Sequence, residues 1–229
     1  MSGALYRRIP RRTWLIVLPV ATGAGLSVHI ISGVSLILAV VVVGLAGLAG
    51  ALVFLTRVNN RSVRRNIRKR VLFGILAGII ATGCYDLFRY FLVTYLDFSF
   101  WPFDIFTIFG QLLLGQDSSP LITTVAGILY HLANGIGFSI AFFLLFRRPN
   151  IFYGLAWALM LECFMVSIYP SWLGLKALDE FLSVSILGHV IYGATLGIMA
   201  KLGKATLTDS AQLDVKKWSR RRQGTLNES

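Results

Sequence analysis

Long apolar stretches, separated by short polar and basic ones, are the main pattern of this chain. The longest runs from Thr13 to Thr56 without any Asp, Glu, Lys or Arg. A membrane-spanning helix needs about 20 apolar residues, so this stretch is long enough for two of them. The polar, glycine-containing sequence His29–Gly33 interrupts it and predicts a tight turn between helices at roughly 13–31 and 34–56.

The beginning of the chain also resembles a signal peptide. It is basic, and Arg11–Leu15 roughly fits a twin-arginine motif. However, no A-x-A cleavage site follows, and a second apolar stretch comes at once. We therefore expect this segment to remain in the protein as an uncleaved first helix.

Four more apolar stretches follow, each near the length that a bilayer requires. They lie at roughly 71–95, 121–146, 151–171 and 181–203. Together with the first hairpin they predict an all-α, multi-pass membrane bundle of about six transmembrane helices. The predicted parts are a basic N-terminus with a hydrophobic hairpin (1–56), a basic cytoplasmic loop (57–70), a four-helix core (71–203) and a basic flexible tail (204–229).

Charge adds an orientation to this pattern. Hydrophobic residues make up 56% of the 229 residues and charged ones only 14%, whereas the formal net charge is +12. If the N-terminus is cytoplasmic, nearly all basic residues fall on the cytoplasmic side and only Lys176 falls outside. The outer side instead carries five acidic residues, Asp97, Asp104, Asp117, Asp179 and Glu180. This asymmetry follows the positive-inside rule and predicts that both termini are cytoplasmic.

The same composition excludes several classes of protein. The chain is too apolar to be disordered, and two cysteines are too few for a disulfide scaffold. Nucleic-acid-binding proteins are also basic, but here the basic runs flank hydrophobic spans, so we expect no nucleic-acid partner. The basic residues are instead expected to contact the anionic headgroups of the lipid bilayer. The candidates for these contacts are Arg64, Arg65, Arg68, Lys69 and Arg70.

The segment 96–120 is unusual among the predicted connections. It is long, and its first half is rich in aromatic residues such as Phe98, Phe100 and Trp101. A segment of this kind lies at the membrane surface or turns back into the membrane. Two interpretations stay open: a connector that rests on the membrane, which we favour, and a lid over a site below it.

Small and polar residues share helix faces in the predicted core. Residues four apart lie on one face of a helix, and such rows contain a carboxylate in two helices and a His followed by a Gly in the other two. The rows are Gly74, Gly78, Thr82, Asp86 and Tyr90; Gly127, His131, Gly135 and Ser139; Gly154, Ala158 and Glu162; and Ser185, His189, Gly193 and Gly197. The two helix pairs therefore look like copies of one unit, related by an axis along the membrane normal. Because helices in lipid pack through small residues, these faces are expected to point into the bundle.

Ionisable residues on these faces form a candidate site. Asp86, His131, Glu162 and His189 lie at a common depth, roughly 13–15 Å from the outer helix ends at about 1.5 Å per residue. Arg89 follows Asp86 by one helical turn and can pair with it. Placing an ionisable group at the bilayer centre costs at least about 2.5–3.5 kcal/mol of free energy, so a layer of such groups indicates a function.

Three interpretations of this layer stay open. In the first it is structural, and its ion pairs and imidazoles hold the helices together. In the second it binds or conducts a small cation or a proton, because His and carboxylates titrate near neutrality in such settings. In the third, His131 and His189 ligate a haem iron or, with the carboxylates, a divalent metal. The second is our hypothesis of function.

Other chemistry is not indicated by the sequence. It contains no Walker A, G-x-S-x-G or H-E-x-x-H motif, and an enzymatic activity is less expected than a binding one. Cys84 and Cys163 are expected to be small buried packing residues rather than a disulfide. The main alternative to ion binding is a non-catalytic membrane subunit that holds other subunits, or a second copy of itself, through its first hairpin or its cytoplasmic arms.

Two short motifs resemble patterns in known proteins. His131–Gly135 reads His-Leu-Ala-Asn-Gly and His189–Gly193 reads His-Val-Ile-Tyr-Gly. Both resemble patterns in uncharacterised bacterial inner-membrane proteins that have about four helices rich in Gly and His. The likeness covers roughly 71–203 and leaves the first hairpin as an addition. It implies a multi-pass protein of the bacterial cytoplasmic membrane and, because these families have no assigned activity, implies no chemistry.

Overall fold

The computed structural model describes residues 15–57, 61–96, 98, 101–173 and 178–207, and all regular structure in these ranges is helical. The basic N-terminus and nearly all of the predicted tail lie outside them. The helices are α1 (Ala21–Ser32), α2 (Leu36–Arg57), α3 (Arg61–Tyr95), α4 (Asp104–Leu114), α5 (Pro120–Leu145), α6 (Ile151–Leu173), α7 (Leu178–Leu202) and α8 (Lys204–Leu207). The predicted all-α helical bundle is therefore confirmed.

Five helices in the described ranges are long and apolar enough to cross a membrane, namely α2, α3, α5, α6 and α7. They correspond to the predicted spans at 34–56, 71–95, 121–146, 151–171 and 181–203. The chain is therefore a membrane protein with a helical core.

The first predicted span, at 13–31, differs from the expectation. Its described part contains α1, which has 12 residues and follows a turn at 18–20. Pro19 lies in that turn. It has no backbone N–H to donate, and its ring disfavours a helical conformation in the preceding residue. Helix α1 alone is therefore shorter than the roughly 20 residues that a span needs.

The turn between α1 and α2 lies where the sequence predicts it. Gly33 ends α1 with φ +71°, a left-handed conformation that glycine adopts without strain. Its N–H donates to the carbonyl oxygen of His29 at 2.8 Å, and Nδ1 of His29 lies 2.6 Å from the carbonyl oxygen of Val34. The imidazole therefore closes this turn.

The first hairpin packs on the core through α1. The Tyr130 hydroxyl on α5 donates to the carbonyl oxygen of Thr22 at 2.7 Å, and Gly137 leaves room for the carbonyl oxygen of Pro19. Helix α2 has a mean hydropathy of 2.8, yet only 17% of its apolar window is buried. Its outer face is therefore suited to lipid.

Glycine brings the helices of each core pair into backbone contact. A Cβ atom at Gly78 of α3 would lie 2.6 Å from the Cα atom of Ile136 on α5. A Cβ atom at Gly193 of α7 would lie 2.6 Å from the carbonyl oxygen of Gly154 on α6. Gly78 and Gly154 each precede the carboxylate of their helix by about two turns. The two helix pairs thus share a close glycine contact, and the predicted duplication stays a prediction.

Helix α3 begins ten residues before its predicted span, at Arg61, so most of the predicted loop 57–70 is helical. Its residues include no Gly or Pro between 61 and 70, and Arg and Lys favour helix.

Arg70 in this extension ties three helix ends together. Its guanidinium donates to the carbonyl oxygens of Phe143 at 2.6 Å, Phe146 at 2.9 Å, Arg147 at 2.9 Å and Leu207 at 3.3 Å. A helix leaves its last four carbonyl groups unpaired, and a cation is favourable beside them. The basic end of α3 therefore lies beside the ends of α5 and α8, as the predicted sidedness requires.

The expectation that Arg70 contacts lipid headgroups is wrong. The residue is only 7% exposed, because its side chain is directed at the carbonyl groups of α5 and α8. The other candidates for headgroup contact, Arg64, Arg65, Arg68 and Lys69, stay predictions.

Replacing Gly193 with Ala is expected to destabilise the α6–α7 pair. The new Cβ atom would lie 2.6 Å from the carbonyl oxygen of Gly154 and 2.8 Å from Cβ of Ala158, so the helices would have to separate. We expect the free energy of unfolding to fall by about 1–3 kcal/mol, measured by titrating the detergent-solubilised protein with dodecyl sulfate. The control is Gly83→Ala, where a Cβ atom meets nothing within 4 Å and the change is expected to be neutral or stabilising by up to about 1 kcal/mol. Equal losses in both variants would contradict this account of the crossing.

Replacing Arg70 with Gln is expected to loosen the basic end of the bundle. Gln cannot reach several carbonyl groups at once, and the free energy of unfolding should fall by about 2–4 kcal/mol. Arg68→Gln is the matched control, since Arg68 is exposed on the same helix, and its effect should stay within about 0.5 kcal/mol. The same dodecyl sulfate titration distinguishes the two variants, and a tolerated Arg70→Gln would show that the carbonyl contacts add little.

Candidate functional site

Each helix pair of the core is bridged by one carboxylate–imidazole pair. Nε2 of His131 on α5 lies 3.0 Å from Oδ2 and 3.2 Å from Oδ1 of Asp86 on α3. Nδ1 of His189 on α7 lies 2.8 Å from Oε2 of Glu162 on α6. The four residues that the sequence places in one layer are thus joined two by two, at equivalent positions of the repeat.

Arg89 pairs with Asp86 as predicted, and it also makes contacts that the sequence does not reveal. Nη1 donates to Oδ1 of Asp86 at 3.3 Å, and Nη2 donates to the carbonyl oxygen of Pro102 at 3.0 Å. The guanidinium lies over the rings of Tyr85 and Phe103, 4.7 Å and 5.4 Å from their centroids. Such cation–π contacts stabilise a charge that is removed from water.

The Glu162 pair is more enclosed than the Asp86 pair. The side chain of Glu162 is 3% exposed, whereas that of Asp86 is 25% exposed. Ser185 donates its hydroxyl to Oε2 of Glu162 at 3.0 Å, while Oε1 has no hydrogen-bond partner among the described residues. A buried carboxylate oxygen without a partner is costly, so this half of the layer depends strongly on its imidazole.

Tyr85 lies between the two imidazoles. Its ring centroid is 6.0 Å from that of His131 and 5.2 Å from that of His189. The Tyr192 hydroxyl on α7 donates to the carbonyl oxygen of Gly135 on α5 at 2.6 Å and so links the two repeats. The two pairs therefore belong to one site at the contact between the repeats.

A cavity of about 510 Å³ opens at this contact. Its charged or titratable lining residues are Tyr85, Arg89, Asp104, His131, Tyr169, His189 and Tyr192. Neither Asp86 nor Glu162 contributes to the lining. Both imidazoles therefore border the cavity, and each has its carboxylate outside the wall.

The segment 96–120 forms part of this cavity. Helix α4 packs along α5, where Gly110 admits the carbonyl oxygen of Thr123 and Gly127 admits that of Phe106. Trp101 and Pro102 line the cavity just before α4. The described part of this segment from Trp101 onward therefore lies against the cavity, as the lid interpretation requires, and the choice between lid and connector stays open.

The described residues do not provide a ligand set for a divalent metal. No group of three or more His, Cys, Asp or Glu side chains is arranged to hold one in these ranges, whereas catalytic zinc sites use three protein ligands. For haem ligation, His131 and His189 would be the axial residues, but Nε2 of His131 faces Asp86. The geometry thus gives the metal and haem alternatives no support.

Sequence reasoning missed some parts of the site. Ser185 was on the same row as His189, which is a signal that it points at the layer, but its bond to Glu162 was not predicted. The carbonyl oxygen of Pro102 has no sequence signal at all. Both cysteines are free, and Cys163 is exposed rather than buried, because it follows the buried Glu162 by one residue in α6 and therefore points about 100° away from it.

The two imidazoles are expected to carry their protons on different nitrogens when neutral. Nε2 of His131 faces only the Asp86 carboxylate, so Nε2 is the donor. Nδ1 of His189 faces Glu162 and, at 3.0 Å, the carbonyl oxygen of Ser185, which only accepts, so Nδ1 is the donor. Nitrogen-15 NMR of histidine-labelled protein measures the tautomers, and His131→Gln and His189→Gln assign the signals among three histidines. The same tautomer at both positions would contradict the pairing.

Comparisons with protein-family models, with curated proteins and with solved structures give no match. The resemblance to uncharacterised bacterial inner-membrane proteins therefore stays a prediction, and the geometry of the site is the basis for assigning a function.

Proposed function

We propose that this protein binds protons inside a membrane, at two carboxylate–imidazole pairs that border one cavity. The observation behind the proposal is that His131 and His189 both line the cavity while each contacts a carboxylate outside its wall. Imidazoles are the side chains whose charge changes most readily near neutral pH.

The charges of the layer support one bound proton. Asp86 and Glu162 are negative and Arg89 is positive, so the layer has one net negative charge when both imidazoles are neutral. An unbalanced charge in a low-dielectric interior costs several kcal/mol. One proton on the imidazoles removes it, and because the two pairs share one site, that proton belongs to the pair of histidines.

A proton fits this geometry better than a metal cation does. Hard cations bind through several oxygen ligands. Here the carboxylate oxygens face imidazoles, a hydroxyl and a guanidinium, and they are absent from the cavity lining. Of the cation and proton alternatives in our hypothesis, the contacts favour the proton.

We also propose that both termini are cytoplasmic, which requires residues 15–32 to cross the membrane together, including the turn at 18–20, and that the membrane is a bacterial inner membrane. Arg70 joins the beginning of α3 to the ends of α5 and α8, and Arg64 donates to the carbonyl oxygen of Leu55 near the end of α2 at 2.7 Å. These basic ends therefore share one side of the bundle. The positive-inside rule makes that side cytoplasmic.

Counting the protons on the imidazoles tests the proposed function. In the wild-type protein we expect about one imidazolium, shared by His131 and His189, near neutral pH. Glu162→Gln removes one negative charge and makes the layer neutral without that proton, so the imidazolium signal should disappear there. Nitrogen-15 NMR from about pH 5 to about pH 8 measures both.

Asp179→Asn is the control, because Asp179 is an exposed carboxylate at the beginning of α7. The imidazolium signal of this variant should equal that of the wild-type protein. Two imidazoles that remain neutral over the whole pH range would overturn the proposal. That result would instead favour the alternative of a non-catalytic membrane subunit, in which the pairs only hold the helices together.

A further inference from the structure

Several features of the cavity are not needed for binding a proton. Its volume is about 510 Å³, within the range of about 300–1,000 Å³ that is typical of small-molecule sites. It lies where the two repeats meet and is bordered on one side by the loop before α4. A cavity of this size and position can admit an organic molecule.

Arg89 is the main polar recognition group on its wall. The residue is 6% exposed, and two of its N–H groups donate to Asp86 and Pro102. Its Nε atom is buried and has no hydrogen-bond partner among the described residues. A guanidinium has five N–H donors and binds planar anions such as carboxylates. Arg89 is therefore the lining residue best suited to a ligand with a negative group.

Among the described lining residues, Asp104 has the only carboxylate. The carboxylates of Asp86 and Glu162 lie behind the imidazoles and outside the lining, and Asp104 is exposed at the beginning of α4. Thr82 and Asn134 each have a buried oxygen without a described partner, but these groups can serve ligands of any charge. The wall next to the layer thus has the guanidinium of Arg89 as its permanent positive group.

The rest of the lining is apolar and largely aromatic. It includes Trp101, Phe109, Phe138, Leu161, Met165 and Phe181. Such a surface binds hydrocarbon or aromatic rings by removing them from water. The ligand is therefore expected to combine a small charged group with an apolar body.

We infer that the cavity binds a small organic monoanion with an apolar body of about one ring, and that each anion enters with one proton. The inference rests on the proposed function for the proton. With one imidazolium the layer is neutral, so an anion beside Arg89 would leave it with a net charge of −1. Protonation of the second imidazole restores neutrality, which a low-dielectric core favours.

The charged or titratable groups around the imidazoles come from four helices. They are Tyr85, Asp86 and Arg89 on α3, Asp104 on α4, Glu162 and Tyr169 on α6, and Tyr192 on α7. Tyrosines are uncharged at neutral pH, and arginine does not lose its proton. The anion should therefore bind more tightly as the pH falls, by about tenfold per pH unit while the second imidazole of the free protein is neutral.

Benzoate, benzamide and benzylamine test which ligand charge the cavity prefers. They share one aromatic ring but are an anion, a neutral molecule and a cation, respectively. Isothermal titration calorimetry of the full chain in detergent should show benzoate binding at least about tenfold more tightly than neutral benzamide. Benzylamine, the cation, should bind most weakly. A pH-indicator dye in weak buffer should show uptake of about one proton per benzoate bound.

Variants separate recognition of the anion from uptake of the proton. Arg89→Gln should weaken benzoate binding by at least about tenfold and leave benzamide binding within about twofold, and Arg89→Lys should restore part of the benzoate affinity. His189→Gln removes one imidazole, so proton uptake should fall towards zero and the pH dependence should be lost. Asp179→Asn is the control and should behave as the wild type. If Arg89→Gln does not fold, Arg89→Lys and His189→Gln still decide the question.

Benzamide or benzylamine binding as tightly as benzoate would overturn the assignment of an anion, and so would the absence of benzoate binding. Benzoate binding without proton uptake would overturn the coupling. The proposed function is tested separately. If the imidazoles titrate in a protein that does not bind benzoate, the proposal that the protein binds protons still holds. If benzoate binds while both imidazoles stay neutral, the proton proposal fails.

Discussion

The core depends on the carboxylate–imidazole pair that bridges the two helices of each repeat. Lipid gives helices no hydrophobic reason to associate, so close packing and interhelical hydrogen bonds must hold them. Short side chains such as Asp86 reach a partner helix only where the backbones nearly touch. Gly78 and Gly193 allow that approach, and the pairs then form about one or two turns further along. The glycine contacts and the ion pairs are thus two parts of one interaction.

The two copies of this interaction balance their charge in different ways. Asp86 has a guanidinium beside it as well as an imidazole, and it is partly exposed. Glu162 has only a hydroxyl and an imidazole, and it is almost fully enclosed. Arg89, a permanent cation, therefore neutralises the Asp86 pair. Under the proposed function, the Glu162 pair needs a proton to become neutral. Under the same proposal, this asymmetry makes the Glu162 pair the one that depends on the shared proton, which is why removal of the Glu162 charge should release it.

Much of the fold follows from patterns that are local in the sequence. Apolar stretches locate five helices, Gly33 marks the turn of the first hairpin, and rows of residues four apart show which side chains face inward. The sequence does not show that each carboxylate pairs within its own repeat, because that choice depends on where the helices cross. It also does not show backbone partners, such as the carbonyl groups that bind Arg70 and Arg89, since every residue has such a group. Pro19 explains why α1 is short. The apolar residues on both sides of Pro19 nevertheless make the sequence look like one continuous span.

Arg89 connects the proton layer to the segment before α4. From the sequence it is a partner for Asp86 alone, one helical turn away. In the structure its other arm donates to Pro102, and its face contacts Phe103, so the same guanidinium that neutralises Asp86 also positions the residues at one side of the cavity. An anion that binds Arg89 would compete with both contacts. Occupancy of the cavity, the charge of the layer and the position of this segment are therefore linked through one side chain.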